Sequence, residues 1–587
     1  MSDLDFDALE GRYAEERERR LRSDGMAQYE PLAERFAALA RDPHADPDFA
    51  RDPLEEDCEV LIIGGGFAGL LAGARLREDG IDSIRVVEKG ADFGGTWYWN
   101  RYPGAACDVE ATIYLPMLEE LGHIPTERYP RASEIHSYCG KIAERYDLRR
   151  AALFQTEARD LQWDPSRSRW IVRTDRGDQI AARFVVSCTG LLSNPKLPRI
   201  PGIETFAGHA FHTSRWDYGY TRGDETGGMT GLADKVVGIV GTGSTGVQVI
   251  PHLAASAQHL FVFQRTPASV EVRNNGPLDP ASFAGRQPGW ARERRDNFTT
   301  LTGGGYAPVD LVGDSWTDII RGVMPRLENG APVADPEALR RAELLKAEAV
   351  RQRVSAEVVD PATAEALKPW FHYFCKRPCF HDEYLASFNR PNVILVDTKG
   401  KGVERFTSAG AVVDGVEYPL DCLVLATGFD FLVDYCAEAG LDIVGPEGAL
   451  ADRWADGPLT LHGMQTHGFP NFFMMAIAQA GAAVNYVHTA DEQTQTIAHI
   501  IAETRKRGAA TIQPSRKAER AWVEEIVEGA KGRRAFLESC TPGYYSYEGR
   551  RERRALLNDF YAPGPMAYIE LLRRWRQTGD MAGLELG

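Results

Sequence analysis

Two glycine patterns leave this chain few folds to choose from. Gly64, Gly66 and Gly69 stand in a G-x-G-x-x-G spacing directly after the apolar run Val60 to Ile63. A run so short and so apolar reads as a parallel strand buried on both faces. A helical pattern follows, so the unit is strand, glycine turn, helix. The first glycine permits the tight turn and the second lets the backbone approach a pyrophosphate. The third lets helix and strand pack closely. The N-terminus of the helix then offers its unpaired N–H groups to phosphate charge.

The pattern returns as Gly241, Gly243 and Gly246, in KVVGIVGTGSTGVQVIPHLA. Ser244 and Thr245, inside this second turn, are counted with its glycines as cofactor-binding. What separates the two units is the charge at the end of the next strand. In the first, SIRVVEKG ends at Glu88, 19 residues past Gly69. A carboxylate there accepts ribose hydroxyls and repels a 2′-phosphate, which fits FAD or NAD. In the second, HLFVFQRTP ends at Gln264-Arg265-Thr266. A guanidinium there pairs with a 2′-phosphate, which fits NADPH. Two such sites imply a flavin reduced by a nicotinamide. A redox cysteine pair is absent beside the first unit, because Cys107 and Cys139 lie far apart, and this argues against a disulfide reductase.

The fold expected is α/β, with two Rossmann-like dinucleotide-binding domains, one for FAD and one for NADP, and a helical insertion in the NADP domain. At 587 residues the chain needs two or three domains. The expected division is an N-terminal extension over 1–57 and a discontinuous FAD domain over 58–190 and 428–587. The NADP domain takes 191–273 and 375–427, with the insertion at 274–374. That insertion is rich in Arg, Glu and Ala, and Asp335-Pro336 suits a helix start before Glu337–Val354. In the extension, Leu32, Phe36 and Leu39 predict a short helix near 33–40, followed by Asp-Pro breaks. The extension reads as an arm on the surface or on a partner subunit.

A net charge of −17 argues against nucleic acid and against anionic membranes as partners. It leaves a local cationic cleft open. The longest apolar run, Phe472 to Val484, is too short to span a bilayer and contains Gln479. The N-terminus carries no secretory pattern, and nine scattered cysteines suit a reduced cytoplasmic protein. Cys375 and Cys379 lack a second ligand pair, so they read as structural thiols and no metal is expected.

Three further stretches narrow the class. Gly95 to Asp108 reads GTWYWNRYPGAACD, and Phe206 to Asp217 reads FAGHAFHTSRWD. Together they resemble the two fingerprints of type I Baeyer–Villiger monooxygenases, the second lying between the glycine patterns as in that family. Phe374-Cys375-Lys376-Arg377-Pro378 resembles the family segment that bears its essential arginine. The resemblance implies FAD and NADPH as cofactors and a small-molecule ketone and O2 as substrates. Reduced flavin and O2 would supply a peroxide oxidant, and the ketone would leave as an ester or lactone. By the same match Arg377 is catalytic, Asp108 is the acid that holds it, and Lys376 is a second contact to the NADP 2′-phosphate. Thr96, Trp97 and Tyr102 fall beside the cofactor. His212 and Trp216 read as an inter-domain link, and Gly468-Phe469-Pro470-Asn471 resembles a loop leading to the flavin but is also an ordinary turn.

One departure concerns the substrate. Several family members carry a Trp in a C-terminal active-site loop, where this chain reads ESCTPGYYSYEG from Glu538 to Gly549. With the N-terminal extension, this is similar to the subgroup acting on macrocyclic, steroid-like or pentalenolactone-type polycyclic ketones. A flavin-dependent N- or S-oxygenase, an NADPH oxidase and a nucleotide-sensing binding protein remain alternatives at this level.

Overall fold

The computed structural model describes residues 5–31, 41–192, 194–327, 330–430, 435–549 and 554–587. Two sheets organise it, each built on one glycine turn. In the first, the strands Phe472–Met474, Gln179–Ser187, Glu55–Ile63, Ile84–Val87 and Ala152–Leu153 lie side by side and parallel. Val60, Leu61 and Ile62 have no exposure, as a strand covered on both faces requires. The helix Phe67–Glu78 crosses from Glu55–Ile63 to Ile84–Val87. Antiparallel strands Ala158–Asp164 and Arg169–Thr174 extend the sheet, and Asp442–Gly445 adds to them.

The second sheet has five parallel strands in the order Val393–Asp397, His259–Gln264, Val236–Val240, Cys422–Leu425, His209–His212. The helix Ser244–Ser256 joins Val236–Val240 to His259–Gln264. Between His259–Gln264 and Val393–Asp397 the chain makes the helices Trp290–Thr302, Ser315–Val323, Pro336–Glu357 and Pro361–Ala366. Asp335 caps the third of these by accepting from the Glu337 N–H, with Pro336 in the first turn.

The arm folds back on its own chain. Its helix Phe6–Arg20 was not legible as an apolar stripe, because two of its three buried residues, Glu16 and Arg20, are charged and pair with each other. The third, Tyr13, accepts a 2.7 Å hydrogen bond from Arg351 of the insertion. Arg340 holds Asp7 and Glu10 at 2.7 and 2.6 Å. Tyr29–Pro31 then pairs antiparallel with Lys196–Pro198 at the entrance to the second domain. The helix expected near 33–40, with Leu32, Phe36 and Leu39, lies outside the described residues.

The thiol reading of Cys375 is corrected by the structure. Cys375 is disulfide-bonded to Cys540, 165 residues further on, while Cys379 remains a free buried thiol. The Cys375/Cys379 spacing is a local feature. The bonding partner comes from the C-terminal loop, which packs against the Arg377 segment through Phe371 and the two sulfurs. No helix among the described residues is long and apolar enough to cross a membrane.

Candidate active site

A cavity of about 1270 Å³ runs between the two glycine turns. Pockets for one drug-sized ligand hold about 300–1,000 Å³, so this one has room for more than a single small molecule. Two glycines of each motif, Gly64 and Gly66 and then Gly241 and Gly243, line it. Gly64 and Gly241 have φ of +103° and +112°, a region that glycine enters without strain. Gly69 and Gly246 do not line the cavity and have a packing role instead. A Cβ on either would stand 1.9 or 2.3 Å from the carbonyl oxygen of Gly64 or Gly241.

Both helices that start here, at Phe67 and at Ser244, begin behind a glycine with no side-chain cap. Their first N–H groups are left for a ligand. A Cβ on Gly243 would meet no protein atom within 4 Å, so the cavity is open over that turn. These turns fit dinucleotide pyrophosphates. Glu88 stands at the end of the first unit, accepting from the Gly65 and Gly90 N–H groups at 2.5 and 2.6 Å. Burial pushes its pKa up, and those two donors pull it back. Thr96 and Trp97 line the same side, and the Trp97 indole donates to the Tyr114 hydroxyl at 2.8 Å. Tyr102 donates to Gln248 at 2.7 Å and so ties the first fingerprint to the second glycine helix. Burial raises the Tyr102 hydroxyl to about 12.

Ser244, Thr245, Arg265 and Lys376 line the other end. Arg265 donates to Gln28 at 2.7 Å and to the Tyr29 hydroxyl at 2.9 Å, both from the arm, and to Glu548 at 3.2 Å. Lys376 donates to the carbonyl of Pro542 at 3.1 Å. Burial, and then the nearby Arg265 charge, bring Lys376 down from 10.5 to about 8. This corner is cationic in a chain of net charge −17, so local charge opposes the global sign.

Arg377 and Asp108 meet in the cavity wall. Arg377 donates from Nε and Nη2 to the two Asp108 oxygens at 2.9 and 2.8 Å. Burial works against the guanidinium charge, but the Asp108 carboxylate more than offsets it and holds the pKa well above its ordinary value. The Arg377 guanidinium carbon lies 4.8 Å from the Trp316 ring centroid. The Trp316 indole donates to the Asp108 backbone carbonyl at 2.9 Å. Trp316 sits on the insertion helix Ser315–Val323, so the insertion supplies a wall of this site.

His212 and Trp216 are not among the lining residues. Burial, then the Arg215 charge, lowers His212 to about 3, which disfavours the charged form of its imidazole. Trp216 donates to Thr221 at 3.1 Å. Their neighbour Arg215 stacks 3.8 Å over Trp99, joining the second fingerprint to the first. The Gly468–Asn471 turn is also off the cavity, and there Pro470 accepts from the Trp170 indole at 2.8 Å.

Sequence reasoning missed Trp316, Gln28, Tyr29 and Glu548. None sits in a recognisable spacing, and they reach the site from three separate parts of the chain: Gln28 and Tyr29 from the arm, Trp316 from the insertion and Glu548 from the C-terminal loop. The Tyr-rich C-terminal loop does line the cavity, through Tyr544, Tyr545 and Tyr547.

Residues 62–135 match the NAD(P)-binding Rossmann-like domain family. Neopentalenolactone D synthase of Streptomyces avermitilis is 50% identical, over 99% of this chain and 99% of its own. A Baeyer–Villiger monooxygenase of Streptomyces coelicolor is 48% identical over 97% of this chain and 95% of its own. Among solved structures, the polycyclic ketone monooxygenase of Thermothelomyces thermophila superposes with a TM-score of 0.92 at 37% identity, covering all of both chains. Identity of that order along nearly the whole length, with one fold, leaves a single assignment: the chain belongs to the Baeyer–Villiger monooxygenase family.

Proposed function

We propose that the chain is an FAD- and NADPH-dependent Baeyer–Villiger monooxygenase that converts a bulky cyclic or polycyclic ketone and O2 to an ester or lactone. The observation that carries this reading is the Arg377–Asp108 pair in the wall of the cavity that both glycine turns share. FAD, reduced by NADPH, supplies the activated oxygen when both are bound. Gly64, Gly66, Glu88, Thr96, Trp97 and Tyr102 would hold FAD. Gly241, Gly243, Ser244, Thr245, Arg265 and Lys376 would hold NADPH.

Within this reading, Arg377 keeps a permanent positive charge beside the reacting carbonyl. Insertion of oxygen next to a ketone passes through an anionic tetrahedral adduct, and a preorganised guanidinium stabilises that charge. Asp108 fixes the guanidinium plane with two hydrogen bonds, and Trp316 limits its tilt from one face. Neither gives up a proton. Ile320, Met324, Phe536, Leu537, Tyr544 and Tyr545 give the same cavity apolar surface, which suits a bulky ketone. Two relatives named above carry a pentalenolactone-type synthase and a polycyclic ketone oxygenase name, in accord with that substrate class.

The test is turnover of a panel of polycyclic and macrocyclic ketones with NADPH and isotopically labelled O2. A product ester bearing one labelled oxygen is the expected result. Oxygenation of amines or sulfides without any ester, or release of hydrogen peroxide alone, would sink the reading.

A further inference from the structure

The cationic corner formed by Arg265 and Lys376 already holds an anion of the chain's own. Glu548 is 3% exposed and lines the cavity there. One carboxylate oxygen accepts from Arg265 Nη2 at 3.2 Å, and the other accepts from the Tyr29 hydroxyl at 3.2 Å. The remaining Nη of Arg265 is given to Gln28 and Tyr29. The guanidinium face that reaches into the loop is therefore engaged by a carboxylate.

The backbone is bent to put it there. Tyr547 and Glu548 have φ of 51° and 54°, and Gly549 follows at 81°. Two adjacent non-glycine residues in the left-handed region are strained, and such a conformation persists only where surrounding contacts enforce it. The Glu548 N–H and the Ser546 N–H both donate to the Gly543 carbonyl, at 2.9 and 3.1 Å, and close the turn. The same loop is tied at its other end by the Lys376 bond to Pro542 and by Cys540.

Carboxylate and phosphate oxygens offer a guanidinium the same acceptor geometry. A dianionic phosphate and a buried carboxylate repel each other on one arginine. We propose that Glu548 is an internal competitor for the 2′-phosphate of NADPH, so that this residue sets how tightly the phosphorylated dinucleotide binds. The proposal rests on the reading of Arg265 as the 2′-phosphate contact. Binding of the phosphate then requires Glu548 to leave Arg265, which releases the left-handed turn at 547–548. Tyr29 belongs to the competing arrangement, since its hydroxyl serves both Arg265 and Glu548.

The experiment is calorimetric titration of the FAD-loaded protein with adenosine 2′,5′-bisphosphate and with adenosine 5′-monophosphate, which differ only in the 2′-phosphate. Glu548→Gln is expected to tighten the bisphosphate about tenfold, the size of one charge-assisted hydrogen bond, and to leave the monophosphate within about twofold. Tyr29→Phe, a second variant in case the first folds poorly, is expected to shift the bisphosphate in the same direction by a smaller factor. Arg265→Ala is expected to weaken the bisphosphate alone. FAD content and thermal unfolding establish that each variant is folded. Bisphosphate affinity that is unchanged or weaker in both Glu548→Gln and Tyr29→Phe, while Arg265→Ala weakens it, overturns the competitor role alone. A loss of monophosphate affinity in Glu548→Gln overturns it too, by making Glu548 an acceptor for ribose hydroxyls. Unchanged bisphosphate affinity in Arg265→Ala overturns the underlying reading of the phosphate site and the competitor role with it.

Discussion

Arg377 and Asp108, 269 residues apart in the chain, face each other through two parallel hydrogen bonds of 2.9 and 2.8 Å. A fork-to-fork pair of this kind fixes the guanidinium plane as well as its charge. Asp108 closes the first fingerprint and Arg377 follows the helical insertion. The pair therefore forms only through tertiary contact between distant parts of the chain.

Removing the cation should separate the two halves of the reaction. In Arg377→Ala, flavin bleaching by NADPH in a stopped-flow trace is expected to continue at close to the normal rate. Ester formation, followed by chromatography, is expected to fall by at least about 100-fold, as for loss of a preorganised donor to an anionic adduct. Arg377→Lys should recover only part of this, since an ammonium cannot make the two-pronged contact to Asp108. Full ketone oxygenation by Arg377→Ala would remove this residue from the chemistry.

Trp316 is a positioning residue, and its indole N–H can be deleted while most of the ring is kept. Trp316→Phe loses the bond to the Asp108 carbonyl. We expect kcat to fall by about 3- to 10-fold with little change in KM for NADPH, the magnitude of one neutral hydrogen bond. A change confined to KM for NADPH would place Trp316 in cofactor binding instead.

Arg265→Ala should raise KM for NADPH by about tenfold or more and leave KM for NADH nearly unchanged. The figure corresponds to a charge-assisted contact made only by the phosphorylated cofactor. Equal effects on both would show that Arg265 does not touch the 2′-phosphate.

Lys376 gives the site a pH dependence. Its folded value of about 8 lies below the ordinary 10.5, through burial and the Arg265 charge. Between those values the unfolded chain binds more protons at this residue, so its contribution to folding stability rises with pH. Phosphate binding runs the other way, because it needs the ammonium. Affinity for adenosine 2′,5′-bisphosphate should therefore fall as pH rises through about 8, and should stay flat there in Lys376→Arg. A wild-type affinity that is constant from roughly pH 7 to pH 9, about one unit on either side of the folded value of about 8, would contradict the contact.

The Cys375–Cys540 bond joins the segment before Arg377 to the C-terminal loop. Non-reducing digestion is expected to yield the two peptides linked. Cys540→Ser should lower the urea midpoint, by a stability change of about 2–4 kcal/mol if the bond acts as typical cross-links do. Separate peptides under non-reducing conditions would refute the pairing.

Local sequence is enough to read the strand, turn and helix of each dinucleotide unit and the opposite charges, Glu88 and Arg265, that close them. These features are set within about 30 residues, by glycine backbone freedom and by the apolar run of a buried strand, so they can be read locally. It also pointed to Arg377 and Asp108, because both lie in stretches resembling a family. What surrounds them emerges only in the folded chain. Trp316 reaches Asp108 across 208 residues, and Tyr29 reaches Glu548 across 519. Cys540 finds Cys375 across 165. Pairings at such separations carry no periodic signal in the chain. They depend on how one domain and one arm dock against another, and that is settled by the shape and charge of surfaces that exist only after each part has folded.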